Sequence, residues 1–304
     1  MTPAAVVPPT PLLSLAATRP GLWLKLETTS PAGSIKARGV AQVLADSPAP
    51  IGLTTYSTGN HGIAVAVAAQ RLGVPCRVFC PPTLAAYKQQ LLLAHGATLV
   101  ASSLNADAGQ AAAAREAATL GWLFVPLANH AGLLAGYATV VDEIAHQLGP
   151  AFRLVVPVGT GSLLRACTER VAELGISARL VGAEPTAYSR FNQTAPLAFS
   201  SPSLADGLAI NHISPSNQPA LQAATRVAVT EAAIAEAMRL TAAATRLQLE
   251  GAAAVAVAAA WQLPTSPEPV VALATGGNIG AAHFTGAIAN FSYPATHHEP
   301  GENY

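Results

Sequence analysis

With 304 residues, 51% hydrophobic and 11% charged, the chain has apolar material for one large domain or two modest ones sharing a cleft, and too much for a disordered scaffold. Sixteen basic and sixteen acidic residues cancel, and no run of Lys or Arg is present to release counterions from a polyanion, which excludes nucleic acid as a partner. The longest apolar stretch, Gly251–Leu263, is shorter than the roughly 20 residues of a bilayer span, so it reads as a buried helix and no membrane partner is expected.

The N-terminus carries no early basic residue and is interrupted by prolines, unlike a secretory signal. Three cysteines, Cys76, Cys80 and Cys167, are an odd number without metal-ligand spacing and read as reduced thiols of a cytoplasmic protein. Short apolar runs at Leu22–Leu26, Cys76–Phe79, Thr98–Ala101, Leu123–Val125, Leu154–Val158, Leu180–Ala183 and Val270–Ala274 predict strands. Between them, His61–Leu72, Ala85–His95, Ala108–Leu120, Leu133–Leu148, Leu163–Leu174 and Glu231–Leu249 predict helices. The alternation predicts an α/β fold with doubly wound parallel sheets, in which ligands collect where strand ends lead into helix starts. The stretch 192–220 reads as a long irregular connection, and the tail after Tyr293, with His297 and His298, as poorly ordered.

Four segments at such places carry chemistry. In Pro31–Gly39 (PAGSIKARG), Lys36 follows a Gly-Ser entry to a helix, with Ser34 as the expected N-cap. The other two lysines look bland: Lys25 sits in the alternating LWLKLE as a solvated position, and Lys88 lies beside two glutamines on a surface helix. In STGNHG, Ser57–Gly62, small residues turn backbone N–H groups inward at a helix start, a seat for a carboxylate or phosphate, and Asn60 offers an amide to a phenolic oxygen. Val158–Leu163 (VGTGSL) is a phosphate cradle by composition. By itself this loop also admits a dinucleotide-binding reading, with Glu184 at the spacing of a ribose-binding acid. Ala274–Asn278 (ATGGN) brings Thr275 and two glycines to the same sheet edge.

In this order and spacing, with VGAEP, SLADGLAI and LEGAAAVA between them, the segments resemble the fold type II pyridoxal-phosphate enzymes from Pro11 to about Gly280. The texture is nearest to the serine/threonine dehydratase and serine racemase branch of this tryptophan synthase beta-like superfamily. The resemblance implies pyridoxal 5'-phosphate in a cleft between two domains, a large one of 1–38 and 147–304 and a small one of 39–146 inserted in it. It implies Lys36 as the Schiff-base lysine that moves the α-proton, and Asn60 on the ring oxygen. Gly159, Thr160, Gly161, Ser162 and Leu163 would hold the phosphate, Thr275 the pyridine nitrogen, and Ser57, Thr58, Gly59 and His61 the substrate carboxylate. The activity it implies is loss of water and ammonia from a small hydroxy amino acid such as threonine or serine, by a homodimer. Racemisation or β-replacement on the same scaffold stays open, as does a non-catalytic dinucleotide- or ligand-binding protein.

Departures from the family pattern bear on details. Thr58 stands where racemases use a serine as second acid/base, and Tyr137 where dehydratases carry glutamine, which leaves substrate preference undecided. Arg190 replaces an acid that relatives use with Glu184 to hold a cation, so no metal is expected, the guanidinium pairing with Glu184 instead. Asp206 and Glu250 read as loop-orienting residues near the cofactor, and Arg38 as a surface charge or a partner of Glu27.

Overall fold

The computed structural model describes residues 7–103, 105–189, 203–210 and 213–290. The chain runs β1 (Leu12–Ser14), β2 (Leu22–Leu26), α1 (Lys36–Ala45), β3 (Leu53–Tyr56), α2 (Asn60–Leu72), β4 (Cys76–Cys80), α3 (Ala86–Ala94) and β5 (Ala97–Ala101). It continues through α4 (Ala106–Leu120), β6 (Leu123–Phe124), α5 (Ala131–Leu148), β7 (Arg153–Pro157), α6 (Ser162–Leu174) and β8 (Arg179–Pro185). The last elements are α7 (Gln218–Ala223), β9 (Thr225–Val229), α8 (Glu231–Thr245), α9 (Gly251–Gln262), β10 (Val270–Ala274) and α10 (Ala281–Asn290).

These strands form two sheets. One has the order β1-β2-β10-β7-β8-β9 and draws on both ends of the chain; the other, β5-β4-β3-β6, is built from the middle. All pairings are parallel except β1 with β2, an antiparallel edge. Each parallel neighbour requires a crossover, which the helices supply.

Period-two alternation divides the six-stranded sheet between two cores. Leu154 and Val156 of β7 and Val271 and Leu273 of β10 face the cluster that holds α1, α2, α5 and α6. Val155, Val270, Ala272 and Ala274 face the other cluster, with α8 and α9. With both faces covered, β7 and β10 are buried throughout, which is why they read as continuous apolar runs. Helix α9, from Gly251 through Ala260, is buried on every side, as its composition predicts.

Predicted and observed elements differ at informative points. Strands β1, β3 and β9 escape the sequence reading: β1 is short, β3 (LTTY) buries two threonines, and β9 is largely exposed. The predicted helix 231–249 ends at Arg246, whose left-handed backbone (φ 63°) caps α8 before α9 begins. Of the predicted irregular stretch 192–220, part lies outside the described residues, as do Arg190 and the tail histidines; the described part holds the start of α7.

Two corrections concern charge. Lys25 is wholly buried, its ammonium donating to Glu143 (2.6 Å), the Thr10 carbonyl (2.7 Å) and Gln147 (3.0 Å). Arg38 is also buried, and of its two expected roles only the partner of Glu27 survives, at 2.8 and 2.9 Å. It donates to Glu143 as well, at 2.6 and 2.8 Å. Two cations and two anions therefore share one interior site between β2, α1 and α5. Helices α1 and α5 meet closely there: a Cβ on Gly136 would come within 2.2 Å of the Arg38 carbonyl. Gly136→Ala is expected to force them apart and cost about 1–3 kcal/mol or more, read as a lowered midpoint in denaturant.

Candidate active site

The loops that follow β3, β4, β7 and β10 open onto one cavity of about 390 Å³ between the two sheets. This is the strand-end location that parallel sheets reserve for ligands, and the volume is that of a small-molecule site. Lys36, Ser57, Thr58, Gly59, Asn60, His61, Gly159, Thr160, Gly161, Leu163 and Thr275 all line it. Of the residues expected to hold cofactor or substrate, Ser162 alone does not.

Lys36 opens α1, but Ser34 does not cap that helix. The cap position is Ile35, without a side-chain hydrogen bond. The entry is held instead by the β10 end: Ser34 pairs with Gly276, and the Ile35 N–H donates to the Thr275 carbonyl at 2.8 Å. The two segments carrying Lys36 and Thr275 are thereby locked together. Beneath Lys36 lies Tyr137, its ring centroid 5.0 Å from Nζ. Tyr137 is buried and does not line the cavity, so its position bears on the lysine rather than on a substrate.

In the 57–61 loop the Ser57 hydroxyl accepts from the N–H groups of Gly59 (3.1 Å) and Gly62 (2.9 Å), shaping the turn into α2 from within. Thr58 is exposed at the opening. His61 is buried; burial and then the charge of Lys36 push its pKa down to about 3, against a backbone hydrogen bond with Val125 that acts the other way. The imidazole is neutral at physiological pH and adds neither charge nor an acidic proton to the loop.

Asn60 is oriented by two residues distant in sequence. Its amide nitrogen donates to Glu250 at 2.7 Å, and its oxygen accepts from Asn278 at 2.8 Å. Asn278 in turn donates to the Ala32 carbonyl at 2.9 Å. One N–H of Asn60 remains for a ligand. Asn278 stands in the ATGGN segment, yet nothing local marks it as the group that sets the Asn60 amide.

Burial, first, and the charge of Asp206 raise the Glu250 carboxyl from its ordinary 4.5 to about 7, against the Asn60 hydrogen bond and the charges of Lys88 and Lys36. A folded-state pKa above the unfolded value contributes stability that is complete below pH 4.5 and lost as pH rises through 7. In the cofactor-free protein, Glu250→Gln is expected to flatten the fall in unfolding free energy between those values, measured by denaturant titration at several pH values.

The glycine loop 159–161 leads into α6. Gly161 has φ 84°, a conformation suited to glycine, and a Cβ there would also meet Asn217 at 3.0 Å. Ser162 turns away from the cavity: its hydroxyl donates to Asn129 Oδ1 at 3.2 Å and accepts from Asn217 at 3.3 Å. Asn217 also donates to the Thr160 carbonyl at 2.8 Å. Asn129 and Asn217 thus brace the loop from behind; neither carried a sequence signal.

A third correction concerns Lys88. It lines the cavity from α3, its ammonium 2.6 Å from Asp206, while Glu250 occupies another part of the wall. Asp206 and Glu250, expected to orient loops near the cofactor, therefore both reach the cavity.

The chain matches the family described as pyridoxal-phosphate dependent enzyme over residues 4–282. The chain belongs to that family. The L-threonine ammonia-lyase of Geobacter sulfurreducens is 29% identical over 85% of this chain and 67% of its own length. The L-threonine dehydratase biosynthetic IlvA of Mycobacterium leprae is 32% identical over 90% of this chain and 69% of its own. The solved structure of a threonine deaminase from T.th. superposes with a TM-score of 0.80 at 28% identity, covering 91% of this chain and 95% of that one. The protein is therefore a pyridoxal-phosphate-dependent enzyme of the fold type II architecture. Its own residues fit the cofactor: a lysine on the cavity wall, a glycine loop at a helix start for a phosphate, a braced asparagine and a threonine hydroxyl. Among the described residues, no helix is long and apolar enough to cross a membrane.

Proposed function

We propose that this enzyme is a lyase that removes water and ammonia from a small hydroxy amino acid such as threonine or serine, leaving a 2-oxo acid. The observation that carries the reading is the convergence on one cavity of Lys36, the 57–61 loop, the 159–161 loop and Thr275. Two amino-acid lyases among its relatives support the same chemistry.

In this reading Lys36 would hold the cofactor through its Nζ, and the same Nζ would take the α-proton of the substrate. The backbone amides of Gly159 to Leu163 would hold the phosphate, Asn60 the ring oxygen and the Thr275 hydroxyl the pyridine nitrogen. When bound, the pyridoxal ring takes up the electron pair left at Cα. Thr275, being neutral, would not enforce protonation of the pyridine nitrogen, a setting that suits loss of a β-hydroxyl as water. The Ser57 and Gly59 N–H groups are taken by the Phe79 carbonyl and the Ser57 hydroxyl, which leaves those of Thr58, Asn60 and His61 to hold the substrate carboxylate, with the Thr58 hydroxyl at the opening as a proton donor. The released dehydrated amino acid hydrolyses to the 2-oxo acid and ammonia.

The chain divides into a large unit of 1–38 and 147–304 and a small unit of 39–146; the two sheets, drawn from those segments, support the division. The enzyme works in the cytoplasm as a homodimer, and three buried free thiols agree with a reducing compartment.

The test is a panel of hydroxy amino acids given to the cofactor-loaded protein and followed for 2-oxo acid, ammonia and chirality. Equal amounts of 2-oxo acid and ammonia from serine or threonine are expected. Incorporation of a thiol or amine without 2-oxo acid, or inversion alone, would give the site to β-replacement or racemisation.

A further inference from the structure

The chain has three lysines, and two of them, Lys36 and Lys88, line the same cavity, where no arginine joins them among the described residues. Lys88 comes from α3, beside the four-stranded sheet. Its partner Asp206 comes from the short turn Asp206–Leu208, between β8 and β9 of the six-stranded sheet. The ion pair therefore reaches across the cavity from one sheet's side to the other.

The two partners are unequally placed. The Lys88 side chain is 14% exposed and that of Asp206 is 63% exposed. The ammonium is held in place, with the Tyr87 ring centroid at 5.7 Å and Nζ 4.0 Å from where a Cβ on Gly59 would stand. It sits against the loop that receives the substrate carboxylate in the reading above. A largely buried ammonium needs an anion, whereas an exposed carboxylate can turn to water instead. Asp206 is thus the partner that can leave. Glu250, also on the cavity wall, would in its ionised form repel a second carboxylate in the cavity unless a cation offset it. A neutral side chain offers Lys88 nothing and leaves the ion pair intact; an acidic one can take the place of Asp206.

Resting on the reading of the cavity as an amino-acid site, we propose that Lys88 is a specificity-determining residue that admits amino acids bearing a second carboxylate, which replaces Asp206 at its ammonium. No covalent step is involved; one carboxylate is exchanged for another.

The test uses cofactor-loaded wild type, Lys88→Met and Asp206→Asn, each first verified by its visible band. Succinate serves as an unreactive dicarboxylate, titrated by its effect on that band, and serine and 3-hydroxyaspartate as substrates. Wild type is expected to bind succinate. Lys88→Met should weaken succinate about tenfold or more and raise the KM ratio of 3-hydroxyaspartate to serine by a similar factor. Asp206→Asn should act in the opposite direction, because it removes the competing carboxylate. The proposal is overturned if wild type ignores succinate, if Lys88→Met alters both substrates equally or neither, or if Asp206→Asn weakens succinate. Succinate binding requires no turnover, so a protein that binds it by way of Lys88 yet releases no 2-oxo acid would refute the lyase reading and leave this one standing.

Discussion

Lys36→Ala is expected to lose the visible absorption of the cofactor linkage and to lower 2-oxo acid formation by at least about a thousandfold. In the proposed function the residue does two things that alanine cannot: bond to the cofactor and carry the α-proton. Among the described residues, no neighbour is positioned to replace it. Lys88 approaches from α3 and is engaged with Asp206, while His61 is held neutral by burial. Lys25, the remaining lysine, is in the interior charge cluster rather than on the cavity wall. The substitution should leave the fold intact, since the α1 entry is fixed through the Ser34–Gly276 pairing and the Ile35–Thr275 hydrogen bond, both made by backbone. Absorbance with added pyridoxal phosphate, borohydride treatment and circular dichroism together decide the matter. A variant that still shows the borohydride-sensitive band would remove Lys36 from its role.

Arg38→Met is expected to cost about 3–5 kcal/mol of unfolding free energy, measured by denaturant titration. The methionine fills much of the same space, so the loss is chiefly electrostatic. Arg38 meets Glu27 through two of its nitrogens and Glu143 through two, and donates to Thr139 at 2.9 Å and Thr10 at 3.1 Å. Burial opposes its charge, but the hydrogen bonds to Glu143 and Glu27 outweigh that and hold its pKa above the ordinary value. Without it, Lys25 is left as a single cation against two carboxylates, with Glu27 fully buried. Arg38→Lys should recover little, because an ammonium cannot reproduce a fork that serves two carboxylates at once. Arg38 lies two residues beyond Lys36 on α1, so this cluster also anchors the helix that presents the lysine. An Arg38→Met protein as stable as wild type would show that the cluster is not needed for folding.

Local sequence determined much of what this protein is. Apolar runs flanked by small-residue loops specify strands that end where helices begin, because glycine, serine and threonine are the residues whose backbone turns there at low cost. Hence Lys36, the 57–61 loop, the 159–161 loop and Thr275 were legible as residues that meet at the strand ends, where the structure places them on one cavity, and the sheets' parallel character followed from the alternation of elements. Charge placement was not legible. LWLKLE alternates like a half-solvated strand, yet α5 brings Glu143 and Gln147 over Lys25 and buries it. Lys88 looks like any helix-surface lysine until α3 is packed against the cavity, where Asp206 meets it from the other side. The relay from Glu250 through Asn60 to Asn278 joins three loops separated by as many as 218 residues, and only the fold brings them within hydrogen-bond reach. The physical reason is the same in each case. Backbone conformation answers to neighbours a few residues away, whereas the environment of a charge is set by whatever the fold lays over it.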